Sequence, residues 1–303
     1  MSAAALVRVV VVLAAAPLLL GITTRVKALF AGRRGAPLLQ RYVDLAKLLR
    51  KGAVFSTTTT WVFSAGPAVS LAATLFAVTL VPLAGERALL AFPGDFLLLA
   101  YVLGLARFAT VLAALDTGSS FEAMGASREV QFSALAEPAL LVALAALVRL
   151  AHSASLSDML LAVSPAIWRA DAAALALVCA ALFVVFLAEN ARVPVDDPTT
   201  HLELTMVHEV MVLDHSGPDL ALIEAGLTAK FAVLGAILTA IAVPVHSGHP
   251  VVDAAAFAAA LVALAVAVGV IESTMARWRL IRVPQLLVGA GVLSLLAFVL
   301  LSR

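Results

Sequence analysis

Apolar residues in this chain run in blocks of near-bilayer length, separated by short polar connections, with no sustained alternation or narrow amphipathic striping. A helix needs ~20 mostly apolar residues to cross the ~30 Å hydrocarbon layer. The blocks lie at approximately 3–23, 62–83, 96–115, 134–150, 172–188, 221–243, 254–272 and 284–301, which predicts an all-α membrane protein of about eight transmembrane helices. The first block resembles a secretory signal, but its apolar run is too long, only Arg8 precedes its core and the basic cluster follows it, so it reads as a span. One further segment, PLLQRYVDLAKLLRK at 37–51, is too short and too charged to cross. Gln40, Arg41, Asp44, Lys47 and Lys51 fall on one helical face with leucines on the other, which predicts an amphipathic helix lying flat in the cytoplasmic interface.

Composition agrees with this pattern. Hydrophobic residues make up 63% of the 303 and charged residues 13%, about half the charged share of a soluble domain. The reading is therefore one membrane-embedded domain over 1–303, its partner the lipid bilayer, with no segment set apart as a soluble domain and no internal repeat. A net charge of +1 gives no footprint for nucleic acid. Charge distribution says more: Arg25, Lys27, Arg33, Arg34, Arg41, Lys47, Arg50, Lys51, Arg128, Arg192, Arg277, Arg279 and Arg282 all fall in alternate connections, at about 24–61, 116–133, 189–220 and 273–283. The opposite connections hold only Arg87, Arg149 and Arg169. The positive-inside rule puts the first set in the cytoplasm and both termini outside, in a multi-pass protein of the cell (inner) membrane. Cys179 is the single cysteine, which excludes an intrachain disulfide and any iron–sulfur cluster ligated by this chain alone.

Polarity concentrates in the connection from Ala188 to Gly217, which carries Glu189, Arg192, Asp196, Asp197, His201, Glu203, His208, Glu209, Asp214 and His215. Asp197 before Pro198, and Thr200 with Glu203, have helix-start spacing, so a helix is expected over 198 to about 213 with His201, Thr205 and His208 on one face. HLELTMVHE lacks the HExxH spacing and no cysteine is near, so no metal site is predicted. Two readings stay open. One is a solvated or partner-covered helix whose acids are structural. The other is a hydrated cluster that couples protonation to a neighbouring redox event, since histidine and partly buried carboxylates titrate near neutral pH.

Ionisable groups inside spans are costly and normally face a cavity or a counter-charge. Glu137 precedes Pro138, which loosens the helix locally; its simpler reading is a helix-start carboxylate at the interface. Arg107 and Asp116 are nine residues apart and cannot pair on one regular helix. Lys230 is deep enough to need a carboxylate from another helix, while Glu224 lies nearer the interface.

Four stretches in order resemble a known family: the eight-helix membrane subunit shared by respiratory complex I (NADH dehydrogenase subunit 1) and the energy-converting or formate hydrogenlyase type hydrogenases. They are FAGRRGAPLLQRYVDLAKLLRKG, FEAMGASREVQFSALAEP with Glu137, AENARVPVDDPTTHLELT and ESTMARWRLIRVPQLL. The third is similar to the family's ENxRxPFDxPEAExEL loop through Glu189, Arg192, Pro194, Asp196, Pro198 and Glu203, but Val195, Thr199 and His201 replace the family's phenylalanine and two acids. Those departures point away from a quinone site and toward the branch of formate hydrogenlyase and hydrogenase-4 membrane subunits.

The resemblance implies a membrane anchor and coupling subunit that performs no bond chemistry itself. Its implied partners are the hydrogenase large and small subunits, a ferredoxin-like iron–sulfur subunit and antiporter-like membrane subunits. The nickel–iron centre and iron–sulfur clusters would sit in those partners, with no cofactor in this chain. Candidates for proton coupling are Glu137, Glu189, Asp196, Glu203, Glu209, His201, His208, Glu224 and Lys230; candidates for docking are Arg33, Arg34, Gln40, Asp44, Lys47, Arg192, Arg277, Arg279 and Arg282. A quinone-site subunit of a complex I-like NADH or other donor:quinone oxidoreductase is the nearest alternative. A stand-alone secondary transporter is the alternative of another class, disfavoured by the lack of a sequence duplication.

Overall fold

The computed structural model describes residues 3–197, 206–245 and 247–302. Among the described residues it is helical without strands, and they form α1 (Ala3–Phe30), α2 (Gln40–Arg50), α3 (Trp61–Leu80), α4 (Asp95–Asp116), α5 (Ser120–Ala151), α6 (Leu156–Ala162), α7 (Pro165–Ala170), α8 (Ala172–Glu189), α9 (His208–Met211), α10 (Gly217–Ala242), α11 (Pro250–Thr274) and α12 (Val283–Leu300). Eight of these, α1, α3, α4, α5, α8, α10, α11 and α12, are long and apolar enough to cross a membrane. The all-α reading with about eight spans holds, and the chain is a multi-pass membrane protein.

At the centre is α10. In its most apolar stretch 72% of the residues are buried, against 28% in α11 and α12, so α10 is the post around which the others pack. It contacts α3, α1, α2, α8 and α11, while α3 pairs with α4, and α12 closes on α5 and α8. Lipid tails are as apolar as the side chains, so close backbone approach has to hold such helices together. Two glycines permit it. A Cβ at Gly66 on α3 would stand 2.7 Å from Ala113 Cβ of α4, and one at Gly269 on α11 would stand 2.8 Å from Val26 Cβ of α1. Across the second seam Thr23 Oγ1 donates to the Ala265 carbonyl at 3.1 Å.

As expected, α2 is a short helix with no buried residue, resting on α10 and α1. At the opposite end of the bundle the buried Asp95 accepts from Leu156 N and Ser155 Oγ, tying the start of α4 to α6.

Two expectations fail. The connection predicted over 116–133 is helical from Ser120 onward, so α5 has 32 residues, about 48 Å at 1.5 Å per residue, well beyond the hydrocarbon. Hydropathy reads FEAMGASREVQ as a loop because its polar residues are numerous, but most of them have partners: Glu122 Oε1 accepts from Asp214 N at 3.1 Å, Arg128 Nη1 donates to the Met206 carbonyl at 2.8 Å, and Glu129 meets Arg107. Glu137 is consequently in mid-helix, and the helix-start reading of it is wrong. The helix expected over 198–213 also shrinks. Residues 198–205, with the Thr200–Glu203 capping box, His201 and Thr205, lie outside the described residues, and of 206–213 only His208–Met211 is helical. Asp196, not Asp197, holds the described part: its Oδ2 accepts from Val207 N at 3.2 Å and His208 N at 3.1 Å.

Candidate functional site

Arg107 sits mid-span on α4, and the nearest acid on its own helix, Asp116, is committed elsewhere: it accepts from Thr60 N at 2.6 Å and Phe63 N at 3.2 Å, at the start of α3. The guanidinium turns instead to three carboxylates on other helices. Its Nε pairs with Glu129 at 3.1 Å, and its terminal nitrogens pair with Glu137 and Glu189. Glu129 and Glu137 are eight residues apart on α5, slightly over two turns, and so share a face. Glu189, the last residue of α8, also pairs with Lys230 of α10 at 2.7 Å. Lys230 thus finds its carboxylate on another helix, as its depth required. Gly104, one turn before Arg107, lies beside Glu137: a Cβ there would stand 3.5 Å from Glu137 Oε1, an ordinary contact.

Burial differs sharply within this cluster. The Arg107 and Glu189 side chains are 8% and 5% exposed, whereas Glu137 is 41% exposed at the outer surface of the bundle. Two cations therefore face three carboxylates in an environment where unpaired charge is very costly.

Two cavities connect this cluster to the polar end of the bundle. The smaller, of about 40 Å³, is lined by Arg107, Glu129, Glu189, Lys230 and His208 among others, room enough for water. The larger, of about 230 Å³, has Lys27, Arg41, Arg192, Glu209, Glu224 and Glu272 in its wall. His208, Ala191 and Leu227 line both. Around the larger cavity Lys27 and Arg192 flank the fully buried Glu272 side chain at 2.9 and 3.3 Å, and Arg41 of α2 reaches Glu224 at 3.1 Å. The Arg192 guanidinium also stands 5.8 Å from the Phe231 ring centre.

Burial pushes Glu209 up to about 7, with the carboxylates of Glu224 and Asp196 pushing the same way and Arg41 and Arg192 opposing. His208 is pushed down to about 4, first by burial, then by Lys230, with Asp196 opposing and Arg192 adding. Its Nε2 is buried with no partner among the described residues. His215 is likewise pushed down to about 4 by burial and stacks on Phe63 with ring centres 4.0 Å apart. At neutral pH both imidazoles are uncharged, while Glu209 is poised between its two forms.

The NADH dehydrogenase family model matches residues 2–302. The chain belongs to that family. Among curated relatives it is 32% identical over 300 residues to formate hydrogenlyase subunit 4 of Escherichia coli (strain K12), covering 97% of this chain and 96% of that one. It is also 32% identical over 240 residues to hydrogenase-4 component C of the same organism, covering 79% of this chain and 75% of the other. Among solved structures, a chain of the membrane-bound sulfane sulfur reductase, an archaeal respiratory membrane complex, superposes with a TM-score of 0.80 over 98% of both chains at 16% identity, a likeness of fold.

Within this family member the sequence-derived candidates separate by position. Glu137, Glu189 and Lys230 join the Arg107 cluster, and His208, Glu209 and Glu224 line the larger cavity. Asp196 is 2% exposed and pairs with Arg277 at 3.0 Å, so it fastens α9 to the connection before α12. His201 and Glu203 lie outside the described residues. Of the docking candidates, Arg33, Arg34, Lys47, Arg279 and Arg282 are exposed, and Gln40 donates to Asp44 at 2.8 Å along α2. Arg192 and Arg277 turn inward to Glu272 and Asp196. The sequence reading missed Glu129, Lys27, Arg41 and Glu272 as parts of the site. The spacing of Glu129 and Glu137 carried a usable signal; the pairing of Lys27 with Glu272, from opposite ends of the chain, carried none.

Proposed function

We propose that the chain is the membrane anchor and coupling subunit of a formate hydrogenlyase-like or hydrogenase-4-like complex. In this reading its cytoplasmic face seats the large and small subunits of a nickel–iron hydrogenase and a ferredoxin-like iron–sulfur subunit, which hold the nickel–iron centre and the clusters, and both termini lie on the far side of the cell membrane. The exposed Arg33, Arg34, Arg279 and Arg282 offer cations for docking. The half-exposed Glu137 marks the side on which antiporter-like membrane subunits stand, because a carboxylate cannot face lipid at that depth.

The observation that carries the reading is the polar column itself. It runs from Glu137 through Arg107, Glu189 and Lys230 to His208 and on to Glu209 and Glu224 beneath α2. Electron transfer in the docked arm changes the charge above the connection 189–217. Glu209, poised near 7, then gains or loses a proton, and the change is passed inward as a proton or as a rearranged ion pair.

Glu137→Gln tests this in inverted membrane vesicles containing the whole complex. Hydrogen evolution by the soluble arm should persist while the accompanying pH change across the membrane disappears. Unchanged ion movement in that variant would refute the relay.

A further inference from the structure

The Arg107 cluster does not balance. Three carboxylates, Glu129, Glu137 and Glu189, meet Arg107, and Lys230 is the one further cation paired with the group among the described residues. Ionising all three would leave an uncompensated negative charge among buried groups, which costs more than holding a proton on one of them. Which carboxyl holds it follows from the contacts. Glu189 is paired with both cations and is the most enclosed of the three, so it is the fixed anion. Glu137 opens to the outer surface of the bundle and is not in the wall of the inner cavity. Among the described residues Glu129 has a single ion-pair contact, with Arg107 Nε at 3.1 Å, and it forms part of the wall of the smaller cavity together with His208.

We propose that Glu129 carries the exchangeable proton of the cluster and trades it with the larger cavity past His208. The step is a plain proton transfer. The Glu129 carboxyl O–H breaks and its proton passes across the smaller cavity to one nitrogen of the neutral imidazole. The proton on the other imidazole nitrogen passes to a carboxylate of the larger cavity, Glu209 or Glu224. The imidazole ends uncharged in its other tautomer, and one carboxylate has been exchanged for another. His208 is suited to this because it lines both cavities and its buried Nε2 is uncommitted among the described residues. Arg107 governs the direction: if it leaves Glu129 the proton is held more firmly, and if it moves closer the proton is expelled. The inference takes its purpose from the coupling reading above, but its test does not depend on that reading.

The test is infrared spectroscopy on the purified complex at pH 7, in a Glu209→Gln background so that Glu209 itself contributes no signal. A carbonyl band of a buried protonated carboxyl should be present and should shift in D₂O. It should vanish in Glu129→Gln, move in frequency in Glu129→Asp and keep its frequency in Glu137→Asp, which preserves the charge count of the cluster. Because Glu129→Gln substitutes one uncharged group for another, the complex should assemble normally; should it fail to do so, the Glu129→Asp shift assigns the band. His208→Phe should slow the D₂O shift on the order of 100-fold. Absence of the band from the parent, its survival in Glu129→Gln or its indifference to Glu129→Asp would overturn the assignment to Glu129, and unaltered exchange in His208→Phe would overturn the route. If Glu137→Gln left ion movement intact while this band behaved as expected, the coupling reading would fall and the proton would still belong to Glu129.

Discussion

The ion pairs of Glu189 make an asymmetric prediction. Glu189 bridges Arg107 and Lys230, with 2.7 Å between Lys230 Nζ and the carboxylate. At that separation and an effective dielectric constant near 20 the gross attraction is about 6 kcal/mol, much of it offset by the hydration that both groups lose. Lys230→Met leaves Glu189 with Arg107, so the expected cost is about 1–2 kcal/mol. Glu189→Gln strands Lys230, and a buried cation without its partner costs about 3–5 kcal/mol. The double substitution removes both charges and should cost less than Glu189→Gln alone, with a coupling of about 2–3 kcal/mol. Thermal loss of helicity in detergent at a fixed scan rate gives the order: the Glu189→Gln midpoint should fall by at least about 6 °C, the Lys230→Met midpoint by about half as much or less, and the double variant should recover part of the loss. Equal midpoints for all three proteins would mean that these groups are hydrated and independent, and the argument from burial would be refuted.

Two further outcomes follow from the polar end of the bundle. Glu209 is raised to about 7 in the folded chain, above its unfolded value of about 4.3, so the folded state holds a proton that the unfolded state has lost. The Glu209 contribution to stability should therefore fall as pH rises from about 4.3 to about 7, against the rise that His208 and His215, lowered to about 4, contribute over the lower part of that range. Between about pH 4.3 and about pH 7 the melting midpoint should accordingly change more favourably with rising pH in Glu209→Gln than in the parent. Asp196→Asn weakens the cap on α9 and breaks the pair with Arg277. A loss of about 2 kcal/mol is expected, with faster amide hydrogen exchange confined to α9 and the connection before α12; uniform exchange across the chain would contradict the assigned role.

Most of the fold was legible because in a membrane the length and apolarity of a block decide its fate almost alone. The eight spans appear where the blocks lie, and α2 appears where charge and leucine separate onto two faces. The ends were not legible. α5 begins fourteen residues before the predicted start at 134, because Glu122, Arg128 and Glu129 are satisfied by groups distant in sequence, which no window of hydropathy can register. The same blindness makes 206–213 look like a continuous helix, when Asp196 fixes a single turn from more than ten residues upstream.

The site was legible in part, and the division has a physical cause. An isolated charge in an apolar run announces itself, so Glu137 and Lys230 could be singled out, and with Lys230 the demand for a partner on another helix. What the sequence withheld was the hub. Arg107 has no usable acid on its own helix, and its three partners come from two other helices, so only the packing of α4, α5 and α8 makes it the organising charge. That hub also explains why the polar connection 189–217 lies where it does. Glu189 ends α8 inside the cluster and His208 begins α9 beside it, so the chain leaves the cluster and returns to it within one connection. Glu189, His208 and Glu209 of this connection therefore belong with Arg107 and Lys230 to one polar column, and under the coupling reading that column is the path by which a change of charge at the polar end of the bundle would reach Arg107.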